Sequence, residues 1–237
     1  MFYYVHLSER QCNDPQEMRA MANIRAQSID WLQRQQEQSR FEYAFRDIKN
    51  THTYIFLNSE SHSKLNRLLD QDPLISYSYV EIEPILTTLE MVETLKDYLE
   101  VDADYFTSQE LEELKFHRRA IDPNSTYFMA RKIVAPFNPL LDKGTQDKIH
   151  LNTLRSQKAH ADQREIADYN PVGKPVGILV MQASTLEEVD EHVRACEVFV
   201  DTTVEYVQLL TLPQARVLNQ KTIDKYRVGC FQETNNN

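Results

Sequence analysis

Alternating and helical runs of apolar residues divide the first 85 residues into six predicted elements. The first strand pattern is followed by Asp14-Pro15, which is typical of a helix N-cap with Pro in the first turn. After a long amphipathic helix, two apolar runs flank Lys49-Asn50 as a hairpin. The order β-α-β-β-α-β is that of a ferredoxin-like unit. The predicted elements are a strand from Phe2 to Ser8, a helix from Gln16 to about Gln38, strands from Phe41 to Asp47 and Thr51 to Leu57, a helix from Ser59 to Asp70 and a strand from Ile75 to Ile85.

The pattern recurs further along the chain, which indicates an internal duplication. The apolar run at Tyr54 returns at Ile178, an offset of 178 minus 54, or 124, and the same offset places Glu81 on Glu205. In the second copy we expect strands at Thr126 to Val134, Val176 to Gln182 and near Phe199 to Leu210, helices at about Gln146 to Ala161 and Thr185 to Ala195, and a weakly marked second strand at Glu165 to Asp168. The predicted segments are ferredoxin-like unit 1 at 1–86, a helical linker at 87–124, ferredoxin-like unit 2 at 125–212 and a C-terminal extension at 213–237.

Composition narrows the function classes. The 237 residues are 41% hydrophobic and 26% charged, so the chain can bury a core and is not generally disordered. A formal net charge of -10 disfavours nucleic acid and anionic membranes as partners. The absence of a long apolar run and of a signal-peptide pattern predicts a cytoplasmic protein. With four glycines and no glycine-rich phosphate motif, nucleotide chemistry is not indicated.

Short motifs in each copy resemble known families. FYYVHL, Leu32-Gln33-Arg34 and Asp72-Pro73-Leu74 make residues 1–85 similar to muconolactone isomerase. In the second copy, His150-Leu151 and Glu197-Val198-Phe199 resemble the YCII-related proteins. Both families belong to the dimeric α+β barrel superfamily. The resemblance implies an α+β fold of two tandem ferredoxin-like βαββαβ units, whose antiparallel sheets pack as a dimeric α+β barrel.

Two sets of residues are candidates for a site. The resemblance to the YCII-related proteins implies that His150 and Glu197 are the catalytic pair, in which a carboxylate beside an imidazole fixes its tautomer for proton transfer. Aromatic residues on the strands of the first copy suit a flat organic ligand. The predicted substrate-binding residues are Tyr3, Tyr43, His52, Tyr54, Tyr77 and Tyr79. No metal motif and no cofactor are indicated, since the seven histidines are scattered and the three cysteines lie far apart.

The resemblance implies a cofactor-free proton-transfer isomerase that acts on a lactone or a similar oxygenated organic compound. The first copy departs from the isomerase in its long helix, where Asn23 to Gln27 replace an acidic stretch and leave Asp30 as the nearest carboxylate. Two alternatives stay open: a cofactor-independent monooxygenase of the same superfamily, and a non-catalytic ligand-binding or assembly protein. The expected partners are a small organic ligand and further copies of the chain, as a homodimer or higher homo-oligomer, with no nucleic acid and no membrane.

Overall fold

The structure is a computed structural model, and the chain divides into two compact units. The first comprises Met1–Glu83, Ile121–Asn124 and Leu209–Asn237, and the second comprises Pro84–Ala120 and Ser125–Gln208. The residues that the structure describes are 1–100, 102, 104–115, 118–134, 143–145, 147–148, 151, 164–174, 176–195 and 202–233.

The described residues form eight strands and several helices. Predicted and observed elements agree closely in the first copy, except that the last strand begins at Ser78, because Ile75–Tyr77 form a 3-10 turn. In chain order the elements are β1 (Phe2–Glu9), α1 (Pro15–Glu37), β2 (Tyr43–Asp47), β3 (His52–Asn58), α2 (His62–Leu69), β4 (Ser78–Thr87), α3 (Thr88–Leu99), α4 (Ser108–Glu113), β5 (Tyr127–Val134), β6 (Glu165–Pro171), β7 (Val176–Gln182), α5 (Leu186–Arg194), β8 (Thr202–Leu210) and α6 (Leu212–Glu233).

In the first unit, helices cover one face of an antiparallel sheet. Helix α1 starts where predicted, because the Asp14 carboxylate accepts hydrogen bonds from the backbone amides of Gln16 and Glu17. Strand β3 pairs with β1 and with β2 in antiparallel register. The core lies between the odd-numbered residues of β1 and the helices, and burying one such large aliphatic side chain contributes about 1.5–3 kcal/mol. Its members include Tyr3, Val5, Leu7, Ile29, Leu32, Leu65, Leu69, Leu212 and Ala215.

In the second unit, β7 pairs with β5 and β6, and α5 covers one face of this sheet. Phe128 and Ala130 of β5 pack with Val189 and Val193 of α5. A separate apolar cluster joins α3 and α4, which occupy the segment predicted as helical between the copies. The weakly marked strand of the second copy is real and longer than expected, at Glu165–Pro171.

The predicted fold is confirmed. In hydrogen-bonded order the eight strands run β1-β3-β2-β8-β5-β7-β6-β4, the closed order of an antiparallel α+β barrel. Strand β8 reaches β2 through Leu209 and Leu210, and β4 reaches β6 through Ile85 to Thr87. Within the described residues, no helix is long and apolar enough to span a bilayer.

Candidate active site in the first unit

Aromatic residues line the sheet face of the first unit that lies opposite its helices. Side chains alternate between faces along a strand, so the even-numbered residues of β1 and β3 point away from the core that the odd-numbered residues of β1 join. Cross-strand pairing places His6 directly opposite Tyr54 and Tyr4 opposite Phe56. Strand β2 adds Tyr43 and Phe45, both fully buried, with ring centroids 6.4 Å apart.

The rings near His6 lie almost parallel. The His6 and Tyr54 centroids are 5.0 Å apart at 10°, and His52 stacks on His6 at 5.1 Å and 23°. Tyr4 continues the row, 6.5 Å from Tyr54 at 13°. Offset stacking of this kind fixes the plane of each ring, so the two imidazoles are held in one orientation.

A chain of three polar side chains crosses this face. Nε2 of His6 lies 2.9 Å from Nδ1 of His52, and Nδ1 of His6 lies 3.3 Å from Oε2 of Glu81. An ionised carboxylate only accepts hydrogen bonds, so the hydrogen facing Glu81 belongs to Nδ1 of His6. In a neutral His6, Nε2 then accepts from the Nδ1–H of His52, which leaves Nε2 of His52 with its lone pair.

This arrangement can take up one proton at the His52 end. When Nε2 of His52 gains a proton, its Nδ1–H can pass to Nε2 of His6, and the positive charge then lies beside Glu81. Only one hydrogen fits in the 2.9 Å contact, so the two imidazoles share a single charge. The His6 side chain is 20% exposed and that of Glu81 is 68% exposed, so the chain leads from a half-buried base toward solvent.

The turn between β2 and β3 holds His52 in place. Oδ1 of Asp47 accepts from the backbone amides of Thr51 at 2.7 Å and His52 at 2.8 Å. Asn50 adopts a positive φ of 57°, as a tight turn requires and as Asn tolerates. The Asp47 side chain is buried, so the backbone at His52 is fixed from inside the protein.

A buried ionic cluster on the helix side supports the same turn. Nη1 of Arg46 donates to Oγ1 of Thr53 at 2.7 Å, and Nη2 donates to the carbonyl of Asn50 and to Oε1 of Glu9. Glu9 also accepts from Arg25, at 2.6 Å from Nη2. Burial lowers the pKa of Arg46 and the adjacent Glu9 opposes this shift, so the ion pair keeps the guanidinium charged inside the core. Arg46 thus bonds the residues on both sides of His52 and ties them to the end of β1.

Asp72 is a second buried acid near this cluster. Its Oδ1 accepts from the backbone amide of Leu74 at 2.9 Å, whereas Oδ2 has no hydrogen-bond partner. Burial raises the pKa of Asp72, and the hydrogen bond from the Leu74 amide and the charge of Arg46 only partly counter that effect. The residue caps the turn before β4, as its place before a proline indicates.

The predicted substrate-binding residues occupy three different environments. Tyr43, His52 and Tyr54 lie on the aromatic face, but Tyr3 lies on the opposite face, packed in the helix-side core. The remaining two are exposed at one end of the unit: Tyr77, 45% exposed, belongs to the 3-10 turn, and Tyr79, 65% exposed, lies under the Arg10 guanidinium at 5.5 Å. The predicted catalytic residues His150 and Glu197 lie outside the described residues.

Sequence reasoning did not select His6 or Glu81 as site residues. The sequence signal that could have identified them is the alternation of side chains along a strand. His6 lies on the same face of β1 as Tyr4, and Glu81 lies on the same face of β4 as Tyr79.

In the second unit, His192 Nε2 lies 2.5 Å from Glu165 Oε1, but this pair joins α5 to the start of β6 and has no aromatic neighbour among the described ring contacts. Over the described ranges, no group of three or more His, Cys, Asp or Glu side chains is placed to hold a metal ion.

Comparison with known proteins identifies the fold but no family. No family model matches the chain, and no curated protein does. Among solved structures, a mutant chlorite dismutase from Candidatus Nitrospira defluvii matches with a TM-score of 0.54 and 11% identity, over 95% of this chain and 94% of that one. The imidazole complex of chlorite dismutase from the same source matches with a TM-score of 0.52 and 10% identity, over 95% and 94%.

A further match, at lower structural similarity, is the siroheme decarboxylase NirDL, with a TM-score of 0.38 and 9% identity over 95% of this chain and 80% of that one. The expected resemblance to muconolactone isomerase and to YCII-related proteins is therefore wrong, because the chain resembles chlorite dismutases in structure. The motifs behind that expectation are only two to six residues long, and matches as short as these do not identify a family by themselves. At these identities, the likeness to chlorite dismutase establishes the α+β barrel fold.

Proposed function

We propose that the chain is a small-molecule enzyme and that its first unit moves a proton on an oxygenated organic substrate. The observation that carries the proposal is the contact of 2.9 Å between His6 and His52, continued to Glu81. In this reading His52 is the general base, His6 receives its Nδ1 proton, and Glu81 stabilises the resulting charge. The buried ring of Tyr54 stacks on both imidazoles and keeps the base in a fixed orientation for proton transfer.

The three side chains His52, His6 and Glu81 make different contributions to the reaction rate. General-base catalysis accounts for about 10²–10⁴-fold in rate, so His52→Ala loses an effect of that size. Glu81 is mostly exposed, and an exposed ion pair contributes up to about 1 kcal/mol, so Glu81→Gln slows the reaction about fivefold at most. His6→Ala removes the proton acceptor of His52, and its effect falls between these two.

The test is exchange of carbon-bound hydrogen for deuterium in D2O, followed by NMR. The probes are an unsaturated γ-lactone, a β-diketone and a hydroxynaphthoquinone, each a planar oxygenated carbon acid or a close relative of one. We expect the wild type to accelerate exchange on at least one probe and His52→Ala not to do so. His62→Ala is the matched control, because His62 is an exposed histidine at the start of α2 on the helix side of the sheet.

A second measurement examines the His6–His52 hydrogen bond without a substrate. We expect an imidazole N–H proton from the His6–His52 contact to resonate downfield and to disappear in both His6→Ala and His52→Ala. Equal exchange rates in the wild type and His52→Ala, or a downfield signal that persists in His6→Ala, would refute the proposal.

A cofactor-independent monooxygenase is the second candidate. Its first step is also removal of a proton from a planar substrate, so the half-buried base beside Tyr54 serves it equally well. Oxygen consumption with the hydroxynaphthoquinone probe separates the two, because a pure proton transfer uses no dioxygen. In either case the partner is a small organic molecule, and assembly with further copies stays a prediction from the sequence.

A further inference from the structure

The second unit carries a different residue at the position that His6 occupies in the first. Phe2 pairs with Asn58 and Tyr127 pairs with Gln182, so β5 corresponds to β1 at an offset of 127 minus 2, or 125. The same offset places His6 on Arg131. Both residues then have a glutamate beside them, Glu81 for His6 and Glu205 for Arg131, and these two glutamates are themselves repeat partners.

Arg131 lies on the sheet face opposite α5, among apolar side chains. It pairs across the strands with Ile178, which in turn pairs with Tyr169, and Met129 precedes it on the same face of β5. These three neighbours are fully or almost fully buried. An arginine in such surroundings needs partners for its five N–H donors, because unsatisfied donors away from water are costly.

The described residues supply Arg131 with one weak partner. Nη1 of Arg131 lies 3.6 Å from Oε2 of Glu205, too far for a hydrogen bond, and its Nε is buried without any partner in the described part of the chain. The Arg131 side chain is nevertheless 30% exposed and that of Glu205 is 55% exposed, so the site can be reached from solvent. The guanidinium is thus charged, accessible and short of acceptors.

We propose that Arg131 forms an anion site in the second unit for the carboxylate of a small organic acid. A carboxylate supplies two acceptors in the geometry of the guanidinium fork and can make the short bonds that Glu205 does not. This site stands independently of the proton-transfer proposal, because it uses residues of the second unit alone.

The test titrates the full-length protein with benzoate, acetate and inorganic phosphate, and follows the Arg131 Nε–H signal by NMR. We expect benzoate and acetate to bind with affinities within about threefold of each other, because both present the same carboxylate to the guanidinium. Arg131→Gln weakens benzoate at least about tenfold through the loss of charge-assisted bonds. Glu205→Gln strengthens benzoate about two- to fivefold, since it removes the competing carboxylate.

Arg164→Gln is the matched control, because Arg164 also lies 3.5 Å from a glutamate, Glu188, but at the surface of the same unit. We expect this variant to bind benzoate as the wild type does. If Arg131→Gln does not fold, Arg131→Lys replaces it and weakens binding while keeping the charge. Benzoate affinity that is unchanged by Arg131→Gln and by Glu205→Gln would overturn the proposal, and phosphate binding as tight as benzoate would overturn its assignment to organic acids.

Discussion

Replacement of Asp72 by Asn should stabilise the folded protein at neutral pH. Asp72 is 2% exposed, and its Oδ2 atom has no hydrogen-bond partner, so the folded state contains a poorly solvated carboxylate. Leaving one buried polar group unsatisfied costs about 1–3 kcal/mol. In Asp72→Asn, Oδ1 still accepts from the Leu74 amide and Nδ2 can donate to the Ser28 hydroxyl. The attraction to Arg46 is lost, so we expect a net gain of about 1 kcal/mol.

The pH dependence provides a sharper test than the magnitude. Burial raises the pKa of Asp72 above its ordinary value of 3.8, so the folded state binds this proton more tightly than the unfolded chain does. The protonated acid therefore contributes to the free energy of unfolding in full below pH 3.8, and this contribution is lost as the pH rises through the pKa of the folded state. The stability advantage of Asp72→Asn should therefore grow as the pH rises.

Urea unfolding at several pH values between 4 and 8 measures this advantage. The matched control is Asp70→Asn, an exposed aspartate at the end of α2, which should change stability by less than about 0.5 kcal/mol at every pH. An advantage of Asp72→Asn that is constant with pH, or that shrinks as pH rises, would refute the reasoning.

Three further predictions concern other contacts. Thr53→Val removes the hydroxyl that accepts from Nη1 of Arg46, so it should lower the free energy of unfolding by about 1–3 kcal/mol in urea and broaden the His6–His52 proton signal. Thr53→Ser keeps the hydroxyl and should leave the stability and the signal unchanged. Asp14→Ala should lower stability by about 1 kcal/mol through loss of the α1 N-cap, and Asp14→Ser should restore most of it by the same measurement. Burial and the hydrogen bond to Asp190 raise the pKa of Tyr206 to about 12. The ultraviolet titration curve of Tyr206→Phe should therefore lack one phenol that ionises only at the alkaline end of the wild-type curve.

The first copy was predictable from sequence because its signals are local. Asp14-Pro15 and the Lys49-Asn50 turn mark element ends by their own backbone chemistry, and the structure has them there. The second copy was harder, since its second strand contains a bulge between Glu165 and Ala167 that interrupts the alternation of side chains.

The offset of 124 shows where local reasoning fails. It is correct for β3 and β7, but β5 corresponds to β1 at 125, and a slip of one residue exchanges the two faces of a strand. With 124, His6 aligns with Ala130, and the correspondence with Arg131 is hidden. Arg46 is another case, because a fully buried arginine on a strand depends on Glu9, a partner 37 residues away that no periodicity reveals.

Helix α6 makes the folding of the first unit depend on residues synthesised far later. Leu212 and Ala215 complete the core around α1, and Asn219 bonds both the carbonyl of Ala22 and the guanidinium of Arg25. On the ribosome, the surface of α1 that α6 covers therefore stays exposed while about 190 further residues are synthesised. Synthesis runs at about 5–20 residues per second, so this interval lasts tens of seconds at the slower rate. During this interval the nascent first unit presents an apolar patch to chaperones.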